Sequence, residues 1–170
     1  QADAEVILMA VEALSDVGVK DLSIDLALPT LVPALLGKID LDDESRDTLR
    51  VALDRKDEAA VGALSKKLGK ATTDQLTAML KATGPADDAL AALTKLKLPK
   101  AAANELASLA QVVEKIRSAA ADLSLTVDPV ESRGLEYHSG VTFTIFSTGV
   151  RGELGGGGRY LAGSEDEPAT

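Results

Sequence analysis

An α+β fold is predicted by three features of this sequence: strand-like alternation near both ends, continuous helical patterning between them, and aromatic residues gathered at one end. The four aromatics, Tyr137, Phe143, Phe146 and Tyr160, all lie in the last fifth of the 170 residues, together with the single histidine, His138. The core must therefore be built from Leu, Val, Ile and Ala. The patterning divides the chain into residues 1–42 (helix, strand and short helix), residues 43–122 (an all-helical insertion) and residues 123–170 (closing strands).

The first helix is expected from Asp3 as its cap, from Val6, Met9, Ala13 and Val17 at helical spacing, and from Gly18 as a left-handed exit. In the next segment Leu22, Ile24 and Leu26 alternate with polar residues, as a half-buried strand requires. Helices follow at Asp43 to Asp54 and at Asp57 to Leu68, the second closed by Gly69. Thr72 with Gln75 has the spacing of a capping box before the Leu76-Met79-Leu80 face. Gly84-Pro85 breaks the chain and sets Pro85 as the first residue of another helix. After Leu98-Pro99, the positions Leu106, Leu109, Val113, Ile116, Ala120 and Leu123 form an apolar stripe, read as a face packed on a core.

The end of the chain changes character. Leu123 to Val127 alternates as a strand and stops at Asp128-Pro129. The β-branched and aromatic run Val141 to Phe146 is followed by a turn at Gly149 to Arg151, and Gly152 to Tyr160 is expected to return as the second strand of a hairpin. Four consecutive glycines, Gly155 to Gly158, weaken a strand. They imply either a bulge or a surface that lets a ligand approach the backbone.

Composition excludes several chemistries. There is no cysteine, so disulfides, thiolate metal sites and thiol nucleophiles are out, and one histidine cannot build a multi-histidine metal site. The net charge is −9, and residues 1–30 hold one lysine against six carboxylates. With no segment rich in Lys and Arg, a nucleic-acid face is not expected. No apolar run approaches a membrane span, and a soluble cytoplasmic protein is the expectation. Both ends of the chain read as cuts through a longer protein.

Arg133, Glu136, Tyr137, His138 and Arg159 fall within the predicted hairpin, beside the glycines. Two guanidiniums suit bidentate capture of a carboxylate or phosphate, and a carboxylate, phenol and imidazole suit an amino group or a heteroaromatic ring. The alternative is structural: Tyr137 in the core, His138 on the surface and both arginines solvated. His138 and Ser139, neighbours on a strand, point to opposite faces and make no dyad. Asp54-Arg55-Lys56-Asp57 reads as a solvated junction between helices.

The run Arg133-Gly134-Leu135-Glu136-Tyr137-His138-Ser139-Gly140, followed by a strand and then Gly156-Gly157-Gly158-Arg159-Tyr160, resembles the second signature of the histidyl-tRNA synthetase-like family. Ala2 to Ile7 is similar to the stretch after class II motif 2. Ala52 to Asp57 is similar to the family's Leu-Asp-Lys-Lys-Asp segment, and Leu125 to Pro129 to the strand leading into the signature. The resemblance implies part of a class II synthetase-like antiparallel sheet carrying a helical insertion, with motifs 1, 2 and 3 outside this segment. It implies a histidine pocket lined by Arg133, Glu136, Tyr137 and His138, with Gly156, Gly157 and Gly158 as its floor and Arg159 after it.

The sequence departs from the signature at Glu136 (Asp in the family), His138 (Tyr) and Ser139 (Thr). The Tyr-His-Ser/Thr-Gly form, with Gly152-Glu153-Leu154-Gly155 beyond it, resembles the regulatory paralogue of the family. That paralogue joins a short-form ATP phosphoribosyltransferase catalytic subunit in the first step of histidine biosynthesis. The resemblance implies a histidine-sensing, non-aminoacylating subunit with homo-oligomer contacts, no cofactor, no metal and no catalytic residue of its own. The alternative is a fragment of a true synthetase that activates histidine and charges tRNA, the one reading with a nucleic-acid partner. A third reading makes residues 43–122 a separate docking module.

Overall fold

The computed structural model describes residues 2–37, 39–131 and 137–161. Helix α1 (Ala2–Asp16) leads through Gly18, at φ +91°, into strand β1 (Leu22–Ala27). Short α2 (Leu31–Leu36) follows, then α3 (Asp43–Asp54), α4 (Glu58–Ala63), α5 (Ser65–Leu68) and α6 (Lys70–Lys81). A two-residue strand β2 (Gly84–Pro85) precedes α7 (Ala86–Leu93) and the 20-residue α8 (Lys100–Ala119). The chain closes with β3 (Ser124–Asp128), β4 (His138–Ser147) and β5 (Gly155–Tyr160).

Local chemistry sets these boundaries. Asp42 caps α3 by accepting from the Ser45 N–H at 2.8 Å, and Asp57 caps α4 by accepting from Ala60 at 2.9 Å. Lys67 reaches Asp42 at 2.7 Å, and that contact holds the Asp42 carboxyl far below the usual carboxylate range. The stretch expected as one helix from Asp57 to Leu68 splits at Leu64, and Gly69 at φ +80° ends it as anticipated.

Three sequence expectations are corrected here. Asp3 lies within α1 and takes an ion pair instead of capping. The Thr72–Gln75 pair sits inside α6, and Gln75 donates to the Lys97 carbonyl. Residues 43–122 are not helical throughout, because Gly84-Pro85 forms β2 and adds an edge to the sheet. Proline fits there because an edge strand needs no second row of donors, and it stands one residue before α7 rather than inside it.

The sheet runs β2-β3-β1-β4-β5. It is antiparallel except at its centre, where β1 and β3 run parallel from Ser23 opposite Ser124 to Ala27 opposite Asp128. A parallel pair demands a long crossover, and everything from α2 to α8 supplies it. One face is apolar: Ile24 lies between Leu125 and Ile145, and Leu26 between Val127 and Phe143, all buried. Helix α8 packs against β4, α1 and α2 over this core, which runs on into the helices of residues 43–122. The stripe Leu106, Leu109, Val113 and Ile116 is buried as expected, although Ala120 and Leu123 fall beyond the helix.

The face of α1 turns the other way from its expectation. Ala4 and Ile7 are buried, and Leu8, Val11 and Leu14 are partly buried against the core, while Val6, Met9 and Val17 are exposed.

Candidate functional site

The opposite face of the sheet is polar, and strand alternation alone creates it. In one row Asp25 of β1 stands between Thr126 of β3 and Thr144 of β4, with Gly156 of β5 beyond. In the next, Ala27 stands between Asp128 and Thr142, with Gly158 beyond. Thr126 donates to Asp25 at 2.5 Å. Burial pushes the Asp25 carboxyl up, and the negative charges of Asp128 and Glu131 push the same way, against Thr126 and Lys56.

The hairpin completes this face. The register shift lies in β4, between His138 and Thr142, so the bulge faces Arg159, just past the glycines, rather than lying among them. The glycines of β5 accommodate their neighbours. A Cβ on Gly156 would lie 2.7 Å from the Phe143 carbonyl oxygen. One on Gly157 would lie 3.0 Å from the Phe143 ring, and one on Gly158 2.6 Å from both the His138 ring and the Thr142 methyl. The bare backbone at Gly158 therefore receives the protein's own imidazole. Gly155 meets nothing within 4 Å and is free of this constraint.

His138 is 7% exposed, while Tyr137 and Tyr160 stand out at 65% and 59%. The three rings form a cluster: Tyr137 and His138 have centroids 4.0 Å apart and tilted, and Tyr160 meets both edge-on at 6.0 and 6.4 Å. His138 also borders a cavity of about 540 Å³ walled by Thr30, Val32, Leu36, Leu41, Arg46 and Leu49. Such a corner suits a planar heteroaromatic ring, with apolar walls and a few polar atoms to orient it. On the far side of β4, Ser139 and Arg159 line a separate cavity of about 260 Å³ with Asp3, Glu105, Gln111 and Lys115. His138 and Ser139 thus face different spaces, as strand alternation requires.

Of the residues singled out in the sequence, the structure gathers Tyr137, His138 and Gly158 on the polar face, with Gly156 in the adjoining row. Gly157 and Arg159 belong to the other face. The Arg159 guanidinium is engaged there by Asp3, at 3.1 and 2.9 Å to its two oxygens. Arg133 and Glu136 lie outside the described residues.

Sequence reasoning passed over Tyr160, Asp25, Thr126, Asp128 and Lys56. Tyr160 ends the glycine-rich part of the signature, and the period-two pattern of β1 places Asp25 opposite the core. Lys56 reads in the sequence as part of a solvated junction, yet its Nζ is buried 2.5 Å from Asp128 Oδ2, an ion pair rather than an aligned hydrogen bond. That link spans the helical stretch and the sheet, so no local pattern announces it.

Among the described residues, no group of three or more His, Cys, Asp and Glu side chains is placed to hold a metal ion, and no helix is long and apolar enough to cross a membrane.

Known proteins resemble the chain in sequence and in fold. The family model described as histidyl-tRNA synthetase matches residues 1–170. An ATP phosphoribosyltransferase regulatory subunit from Paramagnetospirillum magneticum is 52% identical over 169 residues, covering 99% of this chain and 43% of that protein. A crystal structure described as an ATP phosphoribosyltransferase regulatory subunit/histidyl-tRNA synthetase from Bacillus halodurans superposes with a TM-score of 0.78 at 24% identity, over 94% of this chain and 42% of that one. The ATP phosphoribosyl transferase (HisG:HisZ) complex from Thermotoga maritima gives 0.74 at 19%, over 94% and 56%. At such identities the structural likeness is one of fold. The chain spans under half the length of the curated relatives it matches.

Proposed function

Because the chain belongs to the histidyl-tRNA synthetase family across residues 1–170, we propose that it is the site-bearing part of an ATP phosphoribosyltransferase regulatory subunit, one that senses histidine and does not charge tRNA. The observation that carries this reading is the ring cluster of Tyr137, His138 and Tyr160 against Gly158, of which His138 stands at the wall of a cavity. A histidine side chain offers one ring donor and one ring acceptor, and a phenol with an imidazole can meet both. The exposed tyrosines leave room for a ring to slide against them. The names of the relatives support the regulatory role.

In this proposal Arg133 grips the amino-acid carboxylate, as guanidinium forks do. Glu136, Tyr137 and His138 line the pocket, and the β5 backbone at Gly156 and Gly158 forms its floor. Arg159 contributes by fixing β5 through Asp3, not by touching the ligand. The partner is the catalytic subunit of a short-form ATP phosphoribosyltransferase, in a cytoplasmic hetero-oligomer with homo-oligomer contacts as well. Histidine regulates the complex by binding one arrangement of it more tightly than another.

Titration of the full-length protein with histidine in a calorimeter, alone and with the catalytic subunit, tests this directly. Saturable binding, together with co-elution of the two subunits and no histidine-driven ATP–pyrophosphate exchange, is the expected result. Appearance of that exchange activity would overturn the regulatory reading in favour of a synthetase.

A further inference from the structure

Helix α3 presents one face to the cavity that His138 borders. Arg46, Leu49, Arg50 and Leu53 all line it, at the i, i+3, i+4 and i+7 spacing that a helix places on a single side. Val32 and Leu36 of α2, with Ile39 beyond, complete its apolar wall. At about 540 Å³ the cavity falls within the usual range for small-molecule sites, roughly 300–1,000 Å³.

Its charge is one-sided. The chain as a whole carries −9, yet the described residues that line this cavity include two arginines and no Asp or Glu. Arg46 has no carboxylate within ion-pair distance among the described residues. One of its N–H groups donates to the Leu41 carbonyl at 3.1 Å, and Leu41 lines the cavity too, so the guanidinium is held at the wall with most of its donors unused. Arg50 reaches Asp47 only at 3.5 Å, the long limit of a hydrogen bond, and both of those side chains are more than half exposed. Arg46 also stands in the first turn of α3, where the helix dipole disfavours a cation. Stability of the helix therefore does not explain its place.

We propose that this cavity binds a small organic anion with a flat apolar body, a carboxylate or a phosphate ester, whose charge is gripped by Arg46 and Arg50. The body lies along Leu49, Leu53 and the α2 wall, with the His138 ring at one side. Guanidinium forks match either anion two bonds at a time. The site goes beyond the histidine reading, in which Arg133 and not α3 takes the amino-acid carboxylate. The rival account is that the two arginine stems merely cover apolar wall, as long cationic side chains do.

Calorimetric titration of the full-length protein with phenyl phosphate and with benzoate, against benzyl alcohol and inorganic phosphate, tests the proposal. The aryl anions should bind saturably, and the neutral alcohol and bare phosphate at least about ten-fold more weakly, since each lacks one half of the match. Arg50→Met should weaken aryl-anion binding about ten-fold through loss of a charge-assisted contact, while the melting temperature stays within a few degrees of the wild type. Arg46→Met should weaken it by a similar factor; should loss of the Leu41 contact unfold that variant, Arg50→Met decides. Methionine preserves an apolar cover, so wild-type affinity in the methionine variants overturns the proposal in favour of the rival account. So does the absence of aryl-anion binding, or benzyl alcohol binding as tightly as the anions. Inorganic phosphate binding as tightly as phenyl phosphate overturns it as well, reducing the pair to an exposed cationic patch. Binding of one aryl anion alone supports the site and tells carboxylate from phosphate ester. Histidine is in none of these titrations, so a failure of histidine binding counts against the histidine reading and leaves this result standing.

Discussion

His138 and Gly158 fit each other across the hairpin: the imidazole occupies the space that a Cβ on the facing strand would need, 2.6 Å from its Cδ2. The glycine is therefore required by a neighbouring side chain rather than by backbone conformation. Gly158→Ala is expected to destabilise the protein by roughly 1–3 kcal/mol, the usual cost of overpacking, and to displace His138. Gly155→Ala, which meets nothing within 4 Å, should be neutral or slightly stabilising. Paired thermal melts of the two variants check the contrast.

Tyr137 separates binding from stability. Its ring is 65% exposed yet lies 4.0 Å from that of His138. Tyr137→Ala should leave the melting temperature within a few degrees of the wild type. Histidine affinity should fall about ten-fold, in line with the roughly 0.5–1.5 kcal/mol of an aromatic pair. Calorimetry on full-length protein measures both effects.

Arg159 belongs to the opposite face, where it pairs with Asp3. Asp3→Ala should cost no more than about 1 kcal/mol, because the arginine side chain is half exposed and the pair is screened by solvent. Histidine affinity should be unchanged. A large loss of affinity in Asp3→Ala would place the guanidinium in the site after all.

Asp25 gives the protein a defined pH response. Burial, with Asp128 and Glu131 nearby, raises its carboxyl above the ordinary value of 3.8. A carboxyl raised on folding binds its proton more tightly in the native state. It therefore destabilises once ionised: the penalty is absent below the unfolded value, grows through the window up to the folded value, and is complete at neutral pH. Asp25→Asn, which can still accept from Thr126, should raise the melting temperature at pH 7. The advantage should shrink as the pH falls toward 4. Melts across that range decide it, and a constant difference would be contrary to this account.

Much of the fold was legible because short-range chemistry fixes it. Helix α3 runs from Asp43 to Asp54 as its pattern predicts, and the hairpin and β3 appear where alternation and the Asp128-Pro129 stop place them. Helix α1 shows the limit of periodicity. It carries two apolar stripes, one through Ile7, Val11 and Leu14 and one through Val6, Met9 and Val17, and spacing cannot say which is buried. Two residues, Gly84 and Pro85, are too few to show any period, so β2 read as a break. The site was half legible. The signature pointed to Tyr137, His138 and the glycines, but not to the alternation that sends Arg159 to the other face. Nor could it reveal Lys56, whose partner lies 72 positions along the chain.

The central parallel pair also governs how this chain can assemble during synthesis. Asp25 and Thr126, hydrogen-bonded across β1 and β3, stand 101 residues apart. At about 5–20 residues per second, β1 leaves the ribosome roughly 5–20 s before β3 does. Loop closure over such a span is slow as well as late. Through that interval Ile24 and Leu26 lack both β3 and β4, the strands that flank them in the sheet. While α3 to α8 are being translated, both edges of β1 that β3 and β4 later cover remain unpaired by them, and a chaperone acting then would find β1 as a target.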